Sequence, residues 1–151
     1  MTNWDNILVA VDETATSLRA LSYVAGIVGR AEGFSIGLLH IYPEPSAAQL
    51  HDGLDLKSYQ AKKEETAKQI LARASGVLTD CGFAGSRITT MCRMASGETI
   101  SKTILQVQAE GGYGTVVVGK RGVSKAEEFL FGSISNTVVR NSRDFTVWVV
   151  G

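Results

Sequence analysis

Several features that would point to a particular class of interaction are scarce in this sequence. The 151 residues include fifteen basic and fifteen acidic side chains, so the formal net charge is zero. Without a charge excess the chain has no field that gathers nucleic acid or an anionic membrane surface non-specifically. The two cysteines, Cys81 and Cys92, lack a CxxC spacing and are too few for a disulfide framework. We expect both to be small apolar residues that are buried or half-buried.

Long apolar runs and leader-like patterns are also missing. No apolar run approaches the roughly 20 residues that a membrane-spanning helix needs. The first twelve residues, MTNWDNILVAVD, contain no cationic segment followed by an apolar core and a cleavage site. We therefore expect a soluble, cytoplasmic protein. With 151 residues, 44% of them hydrophobic, and no visible linker or repeat, the chain is expected to form one domain over residues 1–151.

What the sequence does contain is a regular alternation of strand-like and helix-like segments. The predicted strands are Asn6–Val11, Ser35–Ile41, Arg87–Arg93, Thr115–Gly119 and Thr146–Val150. Apolar residues at helical spacing predict four intervening helices, which begin near Thr14, Asp55, a cap at Ser96, and Ser133. The small, polar stretch before Leu54 is expected to be a mobile surface connection. This order predicts an α/β fold, a three-layer sandwich with a parallel sheet between helix layers.

A glycine-punctuated loop after the fourth strand is a candidate phosphate site. Its spacing is Gly119-x2-Gly122-x9-Gly132-Ser133. Glycine lets a ligand approach the main chain closely, and the last pair leads into a helix whose first, unpaired amides favour anions. Nearby hydroxyl and cationic groups are available at Ser135, Lys120 and Arg121. Alternatively, the glycines only form turns and the serine only caps the helix. The residues by themselves leave both interpretations open.

Asp12, at the end of the first strand, also has two possible roles. An ionised carboxylate only accepts hydrogen bonds, so it could bind the hydroxyl groups of a ribose or the donors of a base. It could instead cap the first helix together with Thr14. In open α/β sheets, ligands bind beyond the carboxyl ends of strands, which places both Asp12 and the glycine loop at the edge where a ligand is expected.

Three segments together resemble the universal stress protein family. They are ILVAVDET at residues 7–14, LLHIYPEP at residues 38–45 and VVGKRGVSKAEEFLFGSISNTVV at residues 117–139. The resemblance covers nearly the whole chain, and its most specific element is the G-x2-G-x9-G-[ST] pattern, which marks the ATP-binding members of that family. It implies an adenine nucleotide alpha hydrolase-like fold whose five-stranded sheet has the order 3-2-1-4-5. This order places the switch point between the first and fourth strands.

The resemblance also implies a role for each matching position. Asp12 is expected to contact the adenosine. The groups implied to surround the adenine are the main chains of Ala10, Val11 and Ile41 and the side chain of Met94. Those implied to line the ribose and phosphates are Gly119, Arg121 and Gly122. The residues implied to cradle the phosphate tail are Gly132, Ser133, Ile134 and Ser135. The implied ligand is ATP, with AMP or ADP as further options and Mg held through the phosphates.

The final strand, Thr146–Val150, is relevant to the oligomeric state of the protein. It is apolar and lies at the sheet edge in the implied order, where unpaired main-chain groups need a cover or a partner. Members of the family commonly pair this strand with the same strand of a second copy, so the resemblance implies a homodimer. A helix-covered edge is the alternative. The family often has Ala-Pro-Cys-Pro just before this strand, whereas this chain has Asn141–Phe145, which leaves the dimer geometry open.

Catalytic constellations are missing from the sequence. His40 lies inside an apolar strand, where a hydrogen-bonded structural histidine is favoured over a base or a ligand. No G-x-S-x-G elbow or HExxH motif is present. We therefore predict no catalytic residue, no protein metal site and at most a slow ATPase. The predicted function is an ATP-binding regulatory or signalling protein in the stress response with an unidentified protein partner. The alternative is a nucleotide-independent homodimeric interaction protein of the same fold.

Overall fold

Five parallel strands form the centre of the molecule. The computed structural model of the protein describes residues 3–119 and 134–151. The strands are β1 (Asn3–Ala10), β2 (Ser35–Pro43), β3 (Ile88–Ala95), β4 (Tyr113–Gly119) and β5 (Thr146–Val150). Their spatial order is β3-β2-β1-β4-β5, and each neighbouring pair is parallel. The predicted α/β class and strand order are confirmed.

The helices connect these strands. They are α1 (Ala15–Val28), α2 (Ala47–His51), α3 (Leu56–Asp80), α4 (Ile100–Gly111) and α5, which covers residues 134–140. The four longer ones agree with the four predicted helices, although the expected start at Ser133 lies outside the described residues. Within the described ranges, no helix combines the length and the apolar character that crossing a bilayer requires.

The short helix α2 corrects the prediction of an irregular connection before Leu54. A capping box starts it, because the Ser46 hydroxyl accepts from the Gln49 amide at 3.1 Å while the Gln49 side chain accepts from the Ser46 amide at 2.9 Å. No residue of α2 is buried. An exposed helix needs no apolar stripe, so hydrophobic periodicity gave no signal for it.

Several boundaries also differ from the prediction. β1 is Asn3–Ala10 rather than Asn6–Val11, β2 ends at Pro43 rather than Ile41, and β3 is Ile88–Ala95 rather than Arg87–Arg93. The sequence predicts Ser96 as the cap of α4, but Thr99 caps this helix, and its hydroxyl accepts from the Lys102 amide at 3.2 Å. β4 begins at Tyr113 rather than at Thr115. The reason is that Gly112, with φ 63°, ends α4 in the left-handed conformation and turns the chain directly into the strand.

Apolar side chains cover both faces of the sheet. On one face α1 and α3 pack through residues such as Leu21 and Leu78. On the other face α4 and α5 pack through Ile104 and Val138. β4 is buried along its whole length because it is central in the sheet and covered on both faces. α1, the helix after β1, and α5, the next described helix after β4, therefore lie on opposite faces of the sheet, and a crevice opens beyond the carboxyl ends of these two strands.

Candidate functional site

The crevice lies at the carboxyl edge of the sheet, beyond the ends of the paired strands β1 and β4. Its empty volume is about 530 Å³, which includes solvent-open space at its mouth. Six residues expected at the ligand site line this crevice, namely Ala10, Val11, Asp12, Ile41, Gly119 and Ile134.

The crevice wall also contains residues that the sequence did not single out. These are Ser17, Leu39, Ile100, Ile104 and Val118. The isoleucines are separated by four positions on α4, so they extend its inner, apolar stripe to the crevice. Nothing in the sequence separates the part of this stripe that faces the crevice from the part that faces the core. The result is a largely aliphatic slot with few polar groups, which suits a flat apolar ring.

Asp12 and the first turn of α1 form one hydrogen-bonded unit. Thr14 is the cap of α1, and its hydroxyl accepts from the Ser17 amide at 3.1 Å. The Asp12 carboxylate accepts from the Thr14 amide at 2.7 Å through Oδ1. The Asp12 amide donates to the Ser17 hydroxyl at 2.8 Å. Asp12 is therefore not the cap itself but supports the cap, and its second carboxylate oxygen has no hydrogen-bond partner among the described residues.

Val11 is fixed from the neighbouring strand. Its amide donates to the Leu39 carbonyl at 2.8 Å, and its carbonyl accepts from His40 Nδ1 at 2.9 Å. Because a carbonyl oxygen can only accept, Nδ1 must carry the proton. The expected structural, hydrogen-bonded role of His40 agrees with this geometry. Val11 and Asp12 thus form a rigid turn, held from β2 and from α1.

The remaining predicted site residues are not among those that line the crevice, and several lie outside the described residues. Met94 does not line the crevice, since its sulfur accepts from Gln60 Nε2 of α3 at 3.9 Å. Ser135 is buried in α5. Those outside the described residues are Arg121, Gly122, Gly132 and Ser133. Gly119, the first glycine of the motif, and Ile134, directly after its serine, both line the crevice. The two described residues that flank the rest of the motif therefore lie at the same crevice.

Titratable groups near this edge are not arranged for nucleophilic or metal chemistry. Burial raises the pKa of the Cys92 thiol, and the negative charge of Glu64 raises it further, so this thiol is a poor nucleophile at neutral pH. Burial likewise raises the pKa of Tyr42. In residues 3–119 and 134–151, no three His, Cys, Asp or Glu side chains form a cluster that could hold a metal ion.

Solved structures of universal stress proteins share this fold. UspA from Lactobacillus plantarum superposes with a TM-score of 0.77 at 17% identity, with 100% of both chains covered. A universal stress protein in complex with cAMP gives a TM-score of 0.65 at 20% identity, covering 97% of this chain and 95% of that chain. A universal stress protein from Archaeoglobus fulgidus in complex with dAMP gives 0.65 at 16% identity, with 100% of both chains covered.

Sequence comparisons complete the assignment. A search of characterised protein sequences found no significant match. The sequence model of the universal stress protein family matches residues 3–151, which is almost the full chain. The protein therefore belongs to the universal stress protein family.

Proposed function

We propose that this protein binds an adenine nucleotide in the crevice, with ATP as its ligand, and acts as a nucleotide-dependent regulatory or signalling protein in the stress response. One observation carries the proposal: Asp12 after β1, Gly119 at the end of β4 and Ile134 of α5 all line the same crevice. Two relatives of this fold were crystallised with cAMP and dAMP, which are both adenine nucleotides. We further propose that residues 1–151 form a single domain that works in the cytoplasm.

The aliphatic part of the crevice is suited to the base. Leu39 and Ile41 of β2 and Ile100 and Ile104 of α4 all line this part of the crevice. Burying a flat purine between these side chains removes apolar surface from water on both partners. The second carboxylate oxygen of Asp12 accepts no hydrogen bond from the described residues, and it could accept one from a ribose hydroxyl. In the proposal, the base lies in the slot and the sugar lies near Asp12.

In the proposal, the residues of the glycine motif bind the phosphates of the nucleotide. Gly119, Arg121 and Gly122 would line the ribose and the first phosphates. The phosphate tail would be held by Gly132, Ser133, Ile134 and Ser135. Backbone amides at the start of a helix attract anions because they are unpaired and lie at the positive end of the helix dipole. The same groups would accept AMP or ADP, and Mg would be held through the phosphates rather than by protein ligands.

The described part of the crevice favours holding ATP over hydrolysing it. Among the described lining residues, Asp12 is the only side chain that titrates. Phosphoryl transfer to water needs a positioned nucleophile and stabilisation of the developing charge. Asp12 alone cannot supply both. We therefore propose a nucleotide sensor whose ATPase activity, if measured, is slow.

The proposal is tested by identifying a nucleotide and then blocking its site. Mass spectrometry of freshly purified, denatured protein should release an adenine nucleotide, and calorimetry on emptied protein should give at least micromolar affinity for ATP. Ile100→Trp should fill the slot and abolish binding, whereas Leu56→Trp, at an exposed position on α3, should not. A folded wild-type protein that binds neither ATP nor AMP would contradict the proposal.

A second candidate function is that of a homodimeric interaction protein that works without nucleotide. The observation in its favour is the open edge of β5, which pairs only with β4 in the described sheet. Val149 on this strand is 42% exposed, and Tyr23 of α1, which contacts Trp148 edge-to-face, is 51% exposed. We propose homodimerisation through Thr146–Val150. A dimer that captures its partner equally well with an empty or a filled crevice would favour this candidate.

A further inference from the structure

The hydrogen-bond ladder between β1 and β2 stops one step early at the crevice. The Val11 amide donates to the Leu39 carbonyl at 2.8 Å. Backbone groups of alternate residues in a strand face the same neighbour, so Leu39 and Ile41 both face the side of β1. In a continued parallel ladder the Ile41 amide would donate to the Val11 carbonyl. In the described part of the chain, no backbone hydrogen bond joins Ile41 to Val11.

The acceptor of the missing ladder bond accepts from a side chain instead. The Val11 carbonyl accepts from His40 Nδ1 at 2.9 Å. The imidazole lies on the α3 side of the sheet, where Lys63, Thr66 and Ile70 border the same hollow. Ile41, the next residue, lines the nucleotide crevice. Adjacent residues of β2 therefore differ in role, since His40 binds the Val11 carbonyl and Ile41 borders both the crevice and the hollow beside α3.

We propose that His40 is a positioning residue for the base of the nucleotide. By binding the Val11 carbonyl, it keeps the Ile41 amide out of the sheet and free for a ligand. The N–H donor and the C=O acceptor of the Ile41 backbone would complement the acceptor N1 and the donor N6 of adenine. Hypoxanthine reverses this pattern, because it carries a donor at N1 and an acceptor at O6. His40 thereby sets the preference for adenine. This inference rests on the proposed nucleotide-binding function.

Three variants distinguish the effect of the His40 hydrogen bond from the effect of the volume of its ring. His40→Leu and His40→Phe remove the donor and keep an apolar body, and either serves if the other fails to fold. His40→Asn places an amide N–H at about the distance of Nδ1 and should restore the wild-type behaviour. Thermal melting identifies the variants that are folded before any binding is measured.

Hydrogen exchange in nucleotide-free protein tests the positioning step. The Ile41 amide should exchange faster in the wild type and in His40→Asn than in His40→Leu, where the released Val11 carbonyl can accept it. The Tyr42 amide faces β3 and should not change, so it is the internal control. Equal exchange of Ile41 in all folded variants would overturn the proposal. This readout requires no nucleotide.

Binding measurements test the consequence for the base. Affinity for AMP should fall about 3- to 10-fold in His40→Leu, as expected for the loss of one hydrogen bond. The preference for AMP over IMP should fall with it, and both should recover in His40→Asn. An unchanged preference in the donor-free variants would overturn the proposal. If the wild type binds neither nucleotide, the proposed function fails, and exchange at Ile41 still decides whether His40 keeps the amide free.

Discussion

The backbone amide of Asp12 donates to the hydroxyl of Ser17 at 2.8 Å, across five positions of the chain. Ser17 is only 3% exposed, and both residues line the crevice. This bond joins the turn after β1 to the first turn of α1. A change at the start of α1 is therefore transmitted to Asp12, and the stability of the helix start and the geometry of the ligand site are coupled.

Ser17→Ala should reduce both stability and nucleotide affinity. The variant leaves the part-buried Asp12 amide without its acceptor, which typically costs about 1–3 kcal/mol of unfolding free energy. Urea denaturation measures this loss, and calorimetry with ATP measures the affinity. Ser96→Ala is the matched control, because Ser96 is exposed and makes no side-chain hydrogen bond within the described structure. Equal behaviour of the two variants would contradict the coupling.

Two substitutions at Asp12 should separate its structural role from its role toward the ligand. Asp12→Asn keeps an Oδ1 acceptor for the Thr14 amide but replaces the free carboxylate oxygen by an amide donor. We expect near-native stability and ATP affinity that is lower by about tenfold or more, as for a lost charged hydrogen bond. Asp12→Ala should lose stability as well. Glu13→Gln, a neutralised and exposed neighbour, is the control. Undiminished ATP binding by Asp12→Asn would remove Asp12 from the site.

The decline of the unfolding free energy at alkaline pH should depend on the burial of Cys92. Burial raises the pKa of this thiol above its usual 9.0 in the folded state, so folding favours the protonated form. Its contribution is complete below about pH 9 and is lost as the pH rises through the folded pKa, because the unfolded chain then releases its proton first. Cys92→Ala should show a smaller decline in unfolding free energy above pH 9. Cys81 is exposed, so the expectation of a buried or half-buried residue is wrong for it, and Cys81→Ala should decline like the wild type.

Two glycine-to-alanine changes should have opposite effects. A Cβ at Gly114 would meet the backbone of Asn3 and lie 2.8 Å from Trp4 Cα, where no flexible side chain can yield. We expect a loss of about 1–3 kcal/mol of unfolding free energy. A Cβ at Gly26, in α1, would meet nothing within 4 Å, so alanine should stabilise by about 0.5–1 kcal/mol through its higher helix propensity. Chemical denaturation of both variants measures the contrast, and equal changes would refute it.

A charge on the β5 edge should disrupt the proposed dimer. Val149→Lys places a cation on an edge strand, which is how natural edge strands avoid pairing with one another. We expect a monomer by analytical ultracentrifugation at a concentration where the wild type is dimeric. Leu50→Lys changes another exposed apolar residue, on α2, and should leave the dimer intact. A Val149→Lys variant that still dimerises would place the interface elsewhere.

The elements with strong local signals could be predicted from the sequence. Apolar β-branched runs marked β1 and β4, and helical spacing of apolar residues marked α1 and α3, because burial imposes those periodicities. The helix α2 was missed because it buries nothing, so only its capping box supports it. Thr99 and Ser96 are both competent caps, and the choice between them depends on where β3 ends and α4 docks on the sheet.

The sequence by itself determined the α/β alternation, and family resemblance added the strand order and an expected ligand site that contains Asp12 and Gly119. Tertiary structure alone decided which distant groups line the crevice with these two residues, including Ser17, Ile100 and Ile104. It also decided the hydrogen bond between His40 and the Val11 carbonyl, 29 positions apart. Periodicity records whether a residue is buried but not which neighbour it meets. Those neighbours are set by the register of β1 against β2 and by how α4 packs on the sheet, and both exist only in the folded chain.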